Sequence, residues 1–197
     1  MGGVRRALPL LAVVALLAGC AGHPKPKPAP ALSTLLAHGK SVHFVLDGTV
    51  KLDLQSILAR LHHVPPFHIH AVGDASRLGL TAAGSVTGDV SGVGSVVLSG
   101  DKAYARTRGT WYDLGDVKSA ADLLRGAHWT VESGQNGRPQ TLHCDLHLTT
   151  PQLEKVSGLG LPFGIDGADV AAVVHLSHWG EPVTITPPAS AVPLPGH

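Results

Sequence analysis

Strict alternation of apolar and polar residues constrains this chain more than any other feature. From Ser41 to Leu52, Val42, Phe44, Leu46, Val50 and Leu52 share one parity, and Ser41, His43, Asp47, Thr49 and Lys51 share the other. Phe67, Ile69 and Ala71 alternate with His68 and His70 in the same way. Leu142 to Leu148 repeats the pattern against His143, Asp145 and His147. Successive side chains of a strand point to opposite faces, so each run predicts a strand with one greasy and one wet face.

Further strands are predicted at Arg77 to Val86, Gly94 to Leu98, Lys102 to Arg106, Thr110 to Leu114 and Trp129 to Ser133. A last pair is expected at Val170 to Leu176 and Pro182 to Thr186. Ser99-Gly100-Asp101, Arg108-Gly109 and Gly134-Gln135-Asn136-Gly137 read as hairpin turns. Helical spacing is rarer. It predicts short helices over Leu32 to His38, Asp53 to His62, Lys118 to Arg125 and Thr150 to Val156, the last opening near Pro151. The fold class is therefore α+β. It is a large curved antiparallel β-sheet, a half-barrel, with a few helices packed on its concave apolar face. No internal repeat of fixed period is present.

A sheet this long with so few helices raises the question of what covers its apolar face. With three phenylalanines and three tryptophans in 197 residues, the lining is mainly Val, Leu and Ala. An incompletely filled face of that kind leaves a hydrophobic cavity suited to lipid, against the alternative of a fully packed core. The apolar parities nominate Phe44, Leu46, Val97, Trp129, Val131, Leu146 and Val174 as wall positions.

The N-terminus has a different logic. Arg5 and Arg6 precede an uncharged apolar run from Ala7 to Ala18, followed by Gly19 and Cys20. The run is too short to span a bilayer stably and fits a signal-peptide core. Leu17-Ala18-Gly19-Cys20 resembles the bacterial lipobox, whose cysteine receives diacylglycerol before cleavage. Residues 1–19 are thus expected to be a signal peptide and Cys20 the lipid anchor. The arginine pair by itself does not select a twin-arginine export route. Residues 20–31 include His23-Pro24-Lys25-Pro26-Lys27-Pro28-Ala29-Pro30, which favours extended polyproline II. At about 3.1 Å per residue it is a semi-rigid spacer between lipid and domain. Residues 32–188 suit one domain, and the proline-rich 189–197 reads as a flexible tail. The chain is expected outside the cytoplasm, lipid-anchored to the outer face of the cell membrane. With Cys20 acylated, Cys144 has no disulfide partner in the chain and reads as a small buried hydrophobe. A formal net charge of +1 gives no electrostatic case for nucleic acid.

Several segments together resemble the actinobacterial LppX/LprA/LprF/LprG lipoprotein family. Ser41-Val42-His43-Phe44-Val45-Leu46 is similar to its opening strand. Gly100-Asp101-Lys102-Ala103-Tyr104 with Trp111-Tyr112-Asp113-Leu114 is similar to its central hairpin, and Ser119 to Leu124 falls where the family has cavity-covering helices. Leu176-Ser177-His178-Trp179-Gly180-Glu181-Pro182-Val183-Thr184-Ile185 resembles its closing strand-turn-strand most specifically. The likeness runs from Leu32 to Pro188. It implies a half-barrel related to lipoprotein-carrier folds, with a cavity for acyl chains. It also implies non-covalent binding of acyl lipids or lipoglycans and their carriage across the envelope. The chain departs from the pattern after Gly164-Ile165-Asp166-Gly167, where a strand pair is skipped, and at Asp53 to Pro66, where helical spacing replaces strand.

Thirteen histidines are many for this length. Pro66-Phe67-His68-Ile69-His70-Ala71-Val72-Gly73-Asp74 resembles the copper-binding strand of copper/zinc superoxide dismutase, where a His-x-His pair points two imidazoles the same way. The resemblance stops there, because neither the disulfide nor the downstream zinc-ligand spacing is present. His68 and His70 read first as polar residues on a wet strand face. A Zn or Cu patch drawing on His43, His68, His70, His143, His147 and His178 is the alternative, and His62-His63 are adjacent. No nucleophile elbow, phosphate-cradling loop or metalloprotease motif is present, and no cofactor is called for. The sequence thus predicts a non-enzymatic binder of acyl lipid or glycolipid. Its alternatives are a metal-binding lipoprotein and a structural or sensory lipoprotein that has lost the cavity. No export transporter is named by these residues.

Overall fold

The structure, a computed structural model, describes residues 41–54, 65–76, 85–90, 94–100, 102–116, 127–157 and 165–193. The strands are β1 (Ser41–Leu54), β2 (Phe67–Ser76), β3 (Ser85–Val90), β4 (Gly94–Ser99), β5 (Lys102–Thr107), β6 (Thr110–Asp116), β7 (His128–Ser133), β8 (Pro139–Thr149), β9 (Ile165–Ser177) and β10 (Val192–Pro193). One described helix, α1 (Thr150–Ser157), lies between β8 and β9.

All ten strands form one sheet in the order β10-β6-β5-β4-β3-β2-β1-β9-β8-β7. Every pairing is antiparallel except β10 with β6. The sheet is open, a half-barrel with β10 and β7 at its edges. Two meanders build it, β1 to β6 and β7 to β9, and the long strands β1 and β9 join them.

The predicted parities set the faces. Val42, Phe44, Leu46 and Val50 of β1 are buried, as are Leu142, Cys144, Leu146 and Leu148 of β8 and Val170, Ala172 and Val174 of β9. They belong to one hydrophobic cluster that continues through Ile69 and Ala71 to Val96, Leu98, Ala103 and Ala105. Burying each leucine contributes roughly 1.5–3 kcal/mol, so this face is the stabilising centre of the molecule. Cys144 is buried within it, as its parity predicts.

Glycine decides the packing where β2 meets β3. Gly73 and Gly88 are register partners, and Phe44 lies opposite Gly73 on β1. A Cβ on Gly73 would stand 2.0 Å from the Thr87 carbonyl oxygen and 2.5 Å from the Gly88 Cα. A Cβ on Gly88 would come within 3.4 Å of the Phe44 ring. The phenylalanine thus covers a patch where the two backbones approach closely, an aromatic compensating for strand glycines.

Turns follow the expected chemistry. Arg108 (φ 51°) and Gly109 (φ 86°) supply the two positive-φ residues of a two-residue hairpin between β5 and β6. At α1, the Thr149 backbone N–H and hydroxyl both donate to Gln152 Oε1, at 2.8 and 2.9 Å, the backbone half of a capping box. Leu153 turns inward onto the core.

Several expectations are corrected. Asp53 and Leu54 continue β1 rather than opening a helix, held by β9 across a register shift at that point. The rest of that expected helix, and those over 32–38 and 118–125, lie outside the described residues, so α1 alone represents the helical cover. The strand expected from Arg77 is described only from Ser85. Val97 is buried, but on the opposite parity to Val96 and Leu98 and outside their cluster; its register partners are Thr87 and Tyr104. Val131 lies on the inner parity but is 38 % exposed, because β7 is an edge strand. Pro182 to Thr186 forms no strand, since Pro182, Pro187 and Pro188 carry no N–H for a ladder. Instead Val192–Pro193 of the expected tail pairs with Tyr112 and Asp113 of β6. From Ile165 to Ser177 the chain is a single continuous strand, with no further strand pair between Gly167 and Val170.

Candidate functional site

The two faces of the sheet offer different chemistry. On the inner face, Phe44, Leu46, Leu146 and Val174 of the predicted wall are buried, and Trp129 packs against them half-buried. Small residues are interspersed, with Ala71, Ala75, Ala103, Ala105 and Ala168 all buried between larger neighbours.

The turn after β9 completes that face. Strand alternation puts Leu176 inward and Ser177 outward, so an unbroken strand would turn His178 in and Trp179 out. His178 instead adopts φ 50°, a left-handed conformation that a side chain of this size rarely takes. The parity flips. His178 is exposed, its ring 5.7 Å from that of His43 at 71°, and Trp179 packs against the core cluster. Gly180 (φ 84°) donates its N–H to the Ser41 carbonyl at 2.9 Å, and the Ser41 hydroxyl donates to the Glu181 carbonyl. The turn is thereby fixed to the start of β1. The Trp179 Nε1–H is buried and has no hydrogen-bond partner among the described residues, an arrangement that costs about 1–3 kcal/mol unless something accepts from it.

The outer face carries the histidines. His43 Nδ1 lies 3.0 Å from Asp74 Oδ1, and His70 Nδ1 lies 2.6 Å from Asp47 Oδ1, both across β1 and β2. His147 Nδ1 lies 2.8 Å from Asp169 Oδ1 across β8 and β9, and 3.8 Å from Asp53 Oδ2 on β1. His143 Nε2 stands 3.4 Å from Glu132 Oε1 of β7. The alternation that buries Leu and Val on one side thus sets imidazoles opposite carboxylates on the other. An open groove of about 420 Å³ crosses this face. His68, His70, His143 and Asp145 form its sides, and Gly48, Thr49, Ala171 and Val173 of the central strands make a low floor.

His68 and His70 are exposed on β2 opposite Thr49 and Asp47, as polar residues of a wet face. They share the groove with His143, but among the described residues the group whose ligand atoms converge is Asp53, His147 and Asp169, all within 4.8 Å of one another. Sequence reasoning missed both aspartates. Asp53 reads as a helix start, and Asp169 precedes the apolar residue at which the strand was taken to begin. The parity of Val170 to Leu176, extended one residue back, would have placed Asp169 outward.

Cys20, the predicted lipid anchor, lies outside the described residues. Among those described, no helix is long and apolar enough to cross a membrane.

No family model matches the chain, and no curated protein does. Among solved structures the chain is similar to mycobacterial lipoproteins. The Mycobacterium tuberculosis lipoprotein LppX aligns over 90 % of this chain and 99 % of its own, with TM-score 0.40 and 14 % identity. LprF from Mycobacterium bovis aligns over 84 % and 100 %, with TM-score 0.27 and 14 % identity. These are two members of the family that the sequence resembles.

Proposed function

We propose that this protein is an exported lipoprotein, tethered through Cys20, that binds acyl lipids or lipoglycans non-covalently against the inner face of its sheet and carries them across the cell envelope. The observation that carries this reading is the continuity of that face. From Ala105 to Leu148 it runs across the sheet through β4, β2, β1 and β9 in one hydrophobic cluster. Acyl chains seated there are driven by about 25 cal/mol per Å² of apolar surface removed from water. Headgroups remain at the margin, where the unpartnered Trp179 N–H offers a donor to an ester or hydroxyl oxygen. Transfer and binding by these residues call for no catalytic group, in keeping with a non-enzymatic role.

Quenching by phospholipids brominated on their acyl chains tests the reading. Trp129 and Trp179 pack against the inner cluster, while Trp111 pairs with Arg106 on the outer parity. Quenching of the first two in single-tryptophan variants, with Trp111 unaffected, is the expected result. No quenching of either inner tryptophan overturns it.

A further inference from the structure

The outer face holds one place where three side chains from three neighbouring strands aim at the same point. Asp53 comes from β1, Asp169 from β9 and His147 from β8. Two carboxylates approach one imidazole nitrogen there. His147 Nδ1 is 2.8 Å from Asp169 Oδ1 and 3.8 Å from Asp53 Oδ2. A single N–H on Nδ1 satisfies the nearer carboxylate and leaves the farther one beyond hydrogen-bonding range. Lys51, opposite Asp169 in the register, forms no ion pair with either carboxylate among the described residues.

A small divalent ion satisfies all three groups at once. With Zn–N and Zn–O bonds near 2.0–2.2 Å, two ligands of a tetrahedral ion stand about 3.3 Å apart. The observed separations of 2.8 and 3.8 Å bracket that value. Small side-chain rotations are enough to open one edge and close the other.

Two backbone features lie beside the arrangement. At the register shift between Asp53 and Leu54, β9 carries one extra residue, Asp166, between the partners Gly167 and Ile165. Gly167, across from Thr149, lets β9 lie close against β8 beside the imidazole. A Cβ there would stand 2.6 Å from the Leu148 carbonyl oxygen, 3.3 Å from His147 Cε1 and 3.5 Å from Nε2. Nitrogen with two carboxylate oxygens suits a borderline transition ion and disfavours Ca²⁺ and Mg²⁺, which take all-oxygen shells.

We propose that Asp53, His147 and Asp169 bind one Zn²⁺-class divalent transition ion on the outer face, with a coordination position open to solvent. The site is separate from the inner apolar face and stands independently of the lipid-binding reading. The donor set is not the His-x-His pair that the sequence singles out.

Titration of the full-length acylated protein in detergent, without a histidine tag, tests this by calorimetry with Zn²⁺ and by the visible absorption of Co²⁺. One equivalent of Zn²⁺ is expected to bind with micromolar affinity, and Co²⁺ to develop d–d bands. His147→Ala and Asp169→Asn should each weaken binding at least about ten-fold. The double substitution His68→Ala/His70→Ala should leave it unchanged. The four substituted positions are exposed, so the variants are expected to melt as the wild type does without metal. Absence of binding heat, or binding lost only in the His68/His70 variant, overturns the proposal.

Discussion

Single residues carry more of this fold than their size suggests. Gly73 is the sharpest case, because any side chain there enters the backbone of β3. Gly73→Ala is expected to destabilise by about 1–3 kcal/mol, seen as a lower urea midpoint with an unchanged slope. Leu46, fully buried at the centre of β1, should cost about 2–5 kcal/mol when cut to alanine. Trp179 runs the other way. Trp179→Phe removes a buried N–H that has no partner, so the melting temperature should hold or rise. Acyl-lipid affinity should fall, since the donor assigned to the ligand is gone. A drop in melting temperature with unchanged affinity would show the indole to be a packing residue alone.

The elements show what the sequence made legible and what it hid. β1 could be read to within two residues, and the middle of β8 and the first half of β2 were legible, because half-buried strands write their burial into a period of two. The helical reading of Asp53 to His62 fails at its first two residues: Leu54, Ile57, Leu58 and Leu61 have helical spacing, yet Asp53 and Leu54 remain in β1. Pairing with β9 overrides local spacing there, and a sequence cannot show that β1 and β9 are neighbours. The same blindness to strand order hid the convergence of Asp53, His147 and Asp169, which lie far apart in the chain. Val97 was misassigned because Val96, Val97 and Leu98 are all apolar, and a run of three carries no parity. The Trp179 flip was equally unreadable, since it depends on the left-handed His178. Element boundaries also carry testable energy. Gln152→Ala removes the acceptor for Thr149 at the start of α1 and should cost about 0.5–2 kcal/mol in chemical denaturation.

At the scale of the whole molecule, one sheet serves two solvents. Its inner face is a continuous buried apolar cluster from β5 to β8, and its outer face pairs imidazoles with carboxylates in water. On the proposed reading, a lipid on Cys20 and the proline-rich spacer would hold such a body near a membrane, with acyl chains within reach of this apolar face. The central claim is that this surface holds a lipid. Native mass spectrometry of residues 24–197, followed by organic extraction, tests it most directly. The account predicts a co-purifying acyl lipid at close to one per chain, or its uptake from added phospholipid or glycolipid. A clean unliganded mass that takes up neither would contradict it.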